Sequence, residues 1–237
     1  DMEAYFSAKA SLFDRSRSGR AVVWVDDEYG FRLAQSVRQP LTRVAVSSAA
    51  DVWGESIELN RGGSAFTLAT PEARSRVDLP LVGSFNVENA LVAAACALAA
   101  GLPLDAVSRG LSTAPQVPGR FERIDLGQPF GVFVDYAHTP QGVEVVVKAG
   151  GAITQRQVIT VVGAGGDRDK AKRPMMGAAA AAHVFLGDLK APAPNGGPAA
   201  VGTQGILQAG AGHVHARPLG ESRLARSSST AVARSER

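Results

Sequence analysis

Between residues 130 and 182 short apolar runs alternate with helical patterns, and no other feature constrains the fold of this chain as tightly. Residues 130–134 and 158–162 read as buried strands, and 141–149 and 173–182 as helices. Strands alternating with helices imply an α/β chain with a parallel, doubly wound sheet. In such sheets ligands bind beyond the carboxyl ends of the strands. The residues at those ends therefore decide what the chain can do.

After the second strand the sequence reads Val162-Gly163-Ala164-Gly165-Gly166-Asp167-Arg168-Asp169-Lys170-Ala171-Lys172-Arg173-Pro174. The glycines permit a tight turn, and Pro174 suits the first turn of a helix. Arg168, Lys170, Lys172 and Arg173 set cationic donors at one sheet edge, suited to phosphate or carboxylate. The stretch matches neither the G-x-G-x-x-G dinucleotide fingerprint nor the G-x-x-x-x-G-K-[ST] phosphate loop, and a solvated basic turn is the plainer alternative. The first strand ends in Val134-Asp135-Tyr136-Ala137-His138-Thr139-Pro140. Asp135 is suited to accept from ribose hydroxyls and His138 to donate or stack, with structural roles as the alternative.

Three further segments carry candidate chemistry. Val117-Pro118-Gly119-Arg120-Phe121-Glu122 lies in a Pro/Gly-rich stretch over 115–119 that reads as a hinge, where Arg120 is either a phosphate ligand or a surface cap. Ser84 is a fitting N-cap for a helix over 85–100, on which Asn86 and Asn89, three apart, share a face able to read an adenine edge or serve as ordinary first-turn polar residues. Lys9 stands among the apolar residues Tyr5, Phe6, Ala8, Leu12 and Phe13 of a core-facing helical pattern, as a partly buried reactive amine or as a snorkelling lysine.

Between these segments, 21–25 reads as a strand and 27–36 as a helix. Residues 43–47, 56–60, 65–69 and 74–79 read as strands, with a hairpin at Arg61-Gly62-Gly63 and a further helix from Pro103 to about residue 111. Residues 183–237 are rich in Gly, Ala, Pro, Ser and Arg without a sustained period; disorder or a shifted reading frame is expected there, and no fold. The net charge of +3 comes without a basic stripe interleaved with aromatics, which argues against nucleic acid. The single cysteine, Cys96, excludes an intrachain disulfide, and its apolar neighbours predict a buried thiol. With no apolar run long enough to cross a bilayer and no leader pattern, a cytoplasmic location is expected.

Taken in order, the five segments resemble the Mur ligase family over roughly residues 1–182, most specifically in Asp-Tyr-Ala-His-Thr-Pro, Gly-Gly-Asp-Arg-Asp-Lys and Lys-Arg-Pro. The resemblance implies the C-terminal part of a central ATP-binding domain over 1–117, the start of a Rossmann-like C-terminal domain over 118–182, and an aberrant tail over 183–237. It implies an ATP- and Mg²⁺-dependent ligase that adds the third amino acid, meso-diaminopimelate or lysine, to a UDP-muramyl dipeptide through an acyl phosphate. The partners would be that dipeptide and a free amino acid, with no nucleic acid, no membrane insertion and a monomeric state. By the same resemblance Lys9, Arg120 and His138 are catalytic, Lys9 as a carbamate holding magnesium. Asn86, Asn89, Arg120, Asp135 and His138 hold the nucleotide, and Arg168 grips the carboxylate of the incoming amino acid. The sequence contains no Gly-Lys-Thr/Ser loop and no Asp-Asn-Pro-Arg segment, so the chain alone is expected to be inactive. A folylpolyglutamate synthetase-like ligase and a non-catalytic remnant are the alternatives.

Overall fold

Two units, Asp1–Pro115 and Gln116–Arg237, make up the chain in a computed structural model that describes residues 1–47, 50–154, 158–163, 171–182 and 230–233. The first is built on a five-stranded sheet of order β1-β2-β3-β4-β5. β1 (Ala21–Trp24), β2 (Leu41–Ala45) and β3 (Val52–Asn60) run parallel, whereas β4 (Gly63–Ala69) and β5 (Arg74–Leu79) continue antiparallel. The change of direction follows from the connections. A two-residue turn, Arg61-Gly62, joins the paired Asn60 and Gly63, and so short a link permits only antiparallel pairing.

Helix α1 (Met2–Ala10) precedes this sheet and α2 (Glu28–Ser36) connects β1 to β2. The Asp27 carboxylate caps α2 by accepting the Gly30 N–H at 2.8 Å. Gly30 is required there, since a Cβ would sit 1.9 Å from the Trp24 carbonyl oxygen. α3 (Ser84–Ala99) buries Val87, Ala90, Leu91, Ala94 and Ala95 against Val44, Phe66, Leu68 and Val77 of the sheet. Phe66 and Leu91 are fully enclosed, each worth about 1.5–3 kcal/mol of apolar burial. α4 (Leu104–Ser112) adds Val107 to the same core.

Three expectations for this unit are corrected. α1 buries none of its residues, because it packs as an outer layer rather than into the core; Phe6 meets the Tyr29 ring at 5.5 Å and Arg32 holds Glu3 at 2.7 Å. Cys96 is exposed, since the inward stripe of α3 passes through Leu91, Ala94 and Ala95 and the next residue turns outward. Gly83, at φ +104°, takes the N-cap position of α3, so Ser84 is the first helical residue and makes no capping bond.

In the second unit β6 (Glu122–Ile124), β7 (Val132–Asp135), β8 (Ile159–Val162) and β9 (Thr230–Ala233) form a sheet of order β6-β7-β9-β8. α5 (Pro140–Ala152) and α6 (Lys172–Ala182) bury Val143, Val147, Met176 and Ala180. β7 and β8 point the same way, as their βαβ connection requires. They are not neighbours, however: β9 lies antiparallel between them, and β6 is antiparallel to β7. The expected parallel, doubly wound arrangement holds for β7 and β8, and the antiparallel β6 and β9 make the sheet mixed. The expectation of no regular element in 183–237 is corrected at the four residues of β9 and otherwise falls outside the described residues. Because Asp135 and Val162 both pair with Thr230, the carboxyl ends of β7 and β8 share one end of the sheet. Among the described residues no helix is long and apolar enough to cross a membrane.

Candidate functional site

The second unit's site is built around a turn. Between Val117 and Phe121 the chain reverses tightly, with the Arg120 N–H donating to the Val117 carbonyl at 3.0 Å. Two residues of the turn take left-handed backbone angles, Gly119 at φ +69° and Phe121 at φ +49°. Glycine adopts this conformation freely, but for phenylalanine it is strained. The strain is held by several partners. The Asp135 carboxylate accepts from the Phe121 N–H and the Ala137 N–H, each at 2.7 Å. The Glu122 carboxylate accepts from Gly119 N–H at 2.8 Å, and Tyr136 N–H donates to the Gly119 carbonyl at 2.8 Å. The Phe121 ring stacks on Phe133, with centroids 4.6 Å apart and planes 8° from parallel.

This arrangement places Arg120 and His138 at the end of the sheet where β7 and β8 terminate. Arg120 is exposed and makes no ion pair among the described residues, leaving its guanidinium open to an anion. Asp135, in contrast, is buried and occupied by backbone amides. His138 is exposed, 5.2 Å from the Tyr136 ring, with Nδ1 3.1 Å from the Tyr136 carbonyl oxygen. Since a carbonyl can only accept, that contact places a proton on Nδ1 and leaves Nε2 as an acceptor when the ring is neutral. Thr139 then caps α5 by accepting from Gly142 N–H at 3.1 Å. Arg168 and Lys170 lie outside the described residues; Lys172 and Arg173 open α6.

In the first unit the candidates are more dispersed. Lys9 is exposed, its Nζ 5.5 Å from the centre of the Tyr5 ring, in an open cleft of about 340 Å³ walled by Tyr5, Phe6, Trp24 and Tyr29. Asn86 is buried and its Nδ2 donates to the Val82 carbonyl at 2.8 Å, whereas Asn89 is exposed. Helical spacing puts the two close in angle, but burial divides them. Neither is among the described residues lining the cleft of Lys9.

Two acidic residues without a motif influence one another electrostatically beyond β1. Burial raises the Asp26 carboxyl, but hydrogen bonds from the Ser47 hydroxyl and from the Val46 and Ser47 amides outweigh it and hold the group below its ordinary value. Burial, and then the charge of Asp26, push the Glu88 carboxyl up. The position of Asp26 at a strand's carboxyl end was a usable signal; its approach to Glu88 on α3 is tertiary and leaves no trace in the sequence. Among the described residues no three of His, Cys, Asp and Glu come together as metal ligands.

Family models match the chain in two places: one described as the Mur ligase middle domain over residues 1–97, and one described as the Mur ligase glutamate ligase domain over 119–193. The UDP-N-acetylmuramoyl-L-alanyl-D-glutamate–2,6-diaminopimelate ligase of Streptomyces avermitilis is 45% identical over 184 residues, which are 76% of this chain and 36% of that protein. A solved structure of a ligase of the same name superposes with a TM-score of 0.59 at 30% identity, covering 78% of this chain and 39% of the other. A Mycobacterium tuberculosis folylpolyglutamate synthase complexed with ADP shares the fold, with a TM-score of 0.58 at 23% identity, covering 77% of this chain and 41% of that one. The chain thus spans well under half the length of the relatives it matches.

Proposed function

This chain belongs to the Mur ligase family, and on that premise we propose that it carries part of an ATP-dependent amide ligase joining 2,6-diaminopimelate to UDP-N-acetylmuramoyl-L-alanyl-D-glutamate. Residues 1–117 are assigned to the end of the ATP-binding domain and 118–182 to the start of the C-terminal domain. The observation that carries the reading is the exposed Arg120, with no ion-pair partner among the described residues, on a strained turn fixed at the same sheet end as His138. Choosing diaminopimelate over lysine, or over a folate substrate, rests on the 41–45% identity to ligases named for that amino acid.

Bound ATP supplies the phosphoryl group that activates the substrate carboxylate. Arg120 neutralises phosphate charge with a rigid, always protonated fork. Asp135, its carboxylate buried on two backbone amides, serves the nucleotide through the turn it fixes, and His138 stands beside it as acceptor or stacking partner. Arg168 is assigned to the carboxylate of the incoming amino acid, and Asn86 and Asn89 to the adenine side. No side-chain nucleophile is needed, since positioning and charge neutralisation carry the rate. The described residues around Lys9 do not by themselves fit a magnesium site, since Lys9 shares its cleft with the single carboxylate of Asp27, which already caps α2. A cytoplasmic, monomeric protein is part of the same proposal.

The test is a chimera in which residues 1–182 replace the matching segment of the Streptomyces avermitilis ligase. Phosphate release that requires both the UDP-muramoyl dipeptide and diaminopimelate is expected. A folded chimera that is inactive, or that prefers lysine or a folate with glutamate, would contradict the reading.

A further inference from the structure

We propose that Glu122 is a positioning residue: with Asp135 it clamps the turn over 117–121 in the strained conformation that aims Arg120 at the nucleotide phosphate. The inference rests on the nucleotide reading of Arg120 given above. Sequence alone offers Glu122 no role beyond starting β6, because its significance lies in which amide its side chain reaches.

Backbone hydrogen bonds alone do not explain the turn. Arg120 lies between two left-handed residues, Gly119 at φ +69° and Phe121 at φ +49°. A phenylalanine at this angle relaxes toward extended backbone unless its surroundings prevent it, and relaxation would swing the Arg120 side chain away. Two carboxylates prevent it from opposite sides. Glu122 Oε2 takes the Gly119 N–H at 2.8 Å, and Asp135 Oδ2 takes the Phe121 N–H at 2.7 Å, so the amides on both sides of Arg120 are charge-assisted donors. Stacking of Phe121 on Phe133 removes the remaining freedom. The two carboxylates also differ in kind. Asp135 is buried and comes from β7, fixing the turn to the sheet; Glu122 is half-buried and local, closing the turn on itself. Arg120 is left exposed and without an ion pair among the described residues, even though Glu122 is two positions away. A carboxylate spent on a backbone amide holds the arginine's backbone without neutralising its charge.

The experiment uses the full chain, labelled with ¹⁵N, and follows amide exchange and the Arg120 Nε–H resonance during titration with ADP at millimolar concentration. Glu122→Ala should speed exchange of the Gly119 amide about tenfold and cut the ADP-induced shift of Arg120 about fivefold. Glu122→Gln keeps an oxygen acceptor and should restore most of both, a rescue that loss of general stability would not give. Wild-type exchange and wild-type ADP response in Glu122→Ala would overturn the proposal. If ADP moves no Arg120 resonance in the wild type, the nucleotide reading fails and the aiming role with it. The exchange rates then decide the clamp alone: acceleration in Glu122→Ala upholds it and no change removes it.

Discussion

The turn around Arg120 and the cleft around Lys9 each hold one basic residue that the sequence singles out, yet they are built in opposite ways. The turn uses a strained backbone, two carboxylates and a stacked ring pair to fix a single arginine. The cleft is open, with Phe6 and Trp24 of its wall half-buried and Tyr5 59% accessible, and Lys9 has a ring below it with no ion pair among the described residues. The contrast separates what local sequence can preorganise from what it cannot. A turn within about twenty residues can hold its own functional group, whereas a cleft walled from one side needs further surface before its lysine is desolvated.

The contrast can be broken at four points. The largest effect is expected for Asp135→Ala, which leaves two amides at the turn without their charged acceptor and should cost the second unit about 3 kcal/mol, read by amide exchange of β7; a loss below about 1 kcal/mol would mean the turn is not held as described. Gly30→Ala in the cleft wall forces a methyl against the Trp24 carbonyl and should cost about 1–3 kcal/mol. Tryptophan fluorescence reports it, since Trp24 and Trp53 both belong to the first unit, and an unchanged midpoint would refute the close approach.

A smaller effect concerns pH. The raised Glu88 carboxyl binds a proton in the folded state at a pH where the unfolded chain has released it, so acidification from neutrality toward the ordinary carboxylate range should slightly stabilise the fold. Asp26 acts in the opposite sense: its lowered carboxyl contributes stability above its ordinary value of 3.8 that is lost as pH falls through the folded value. Glu88→Gln should abolish the first trend and leave the acid-side loss; a wild-type slope of the opposite sign near neutrality would contradict the Glu88 assignment. The smallest effect is expected for Lys9→Ala, within about 0.5 kcal/mol of wild type. Native mass spectrometry in bicarbonate should likewise find no carbon dioxide adduct on Lys9, and a stable adduct would show that the cleft is already assembled.

Much of this was legible in the sequence, for reasons that differ by region. Strands β4 and β5 and helices α3 and α5 announce themselves through apolar periods matched to their geometry, and the Arg61-Gly62 turn through its glycines. Arg120, Asp135 and His138 stood out because they sit at breaks in those periods. The exposure of Cys96 required knowing which face of an almost wholly apolar helix turns inward, and in α3 alanines blur that distinction. The outward layer of α1 has a related cause: its apolar residues are placed as in a core helix, and only the tertiary contact with α2 reveals what they meet. The antiparallel β9 between β7 and β8, the influence of the Asp26 charge on Glu88 and the reach of Glu122 to Gly119 all depend on three-dimensional placement rather than on a pattern.

A crystal structure of the chain with ADP tests the central claim most directly. The account predicts a phosphate oxygen about 3 Å from the Arg120 guanidinium, with the Glu122 and Asp135 contacts to the turn kept. ADP bound elsewhere, or bound with Arg120 turned to solvent, would contradict it.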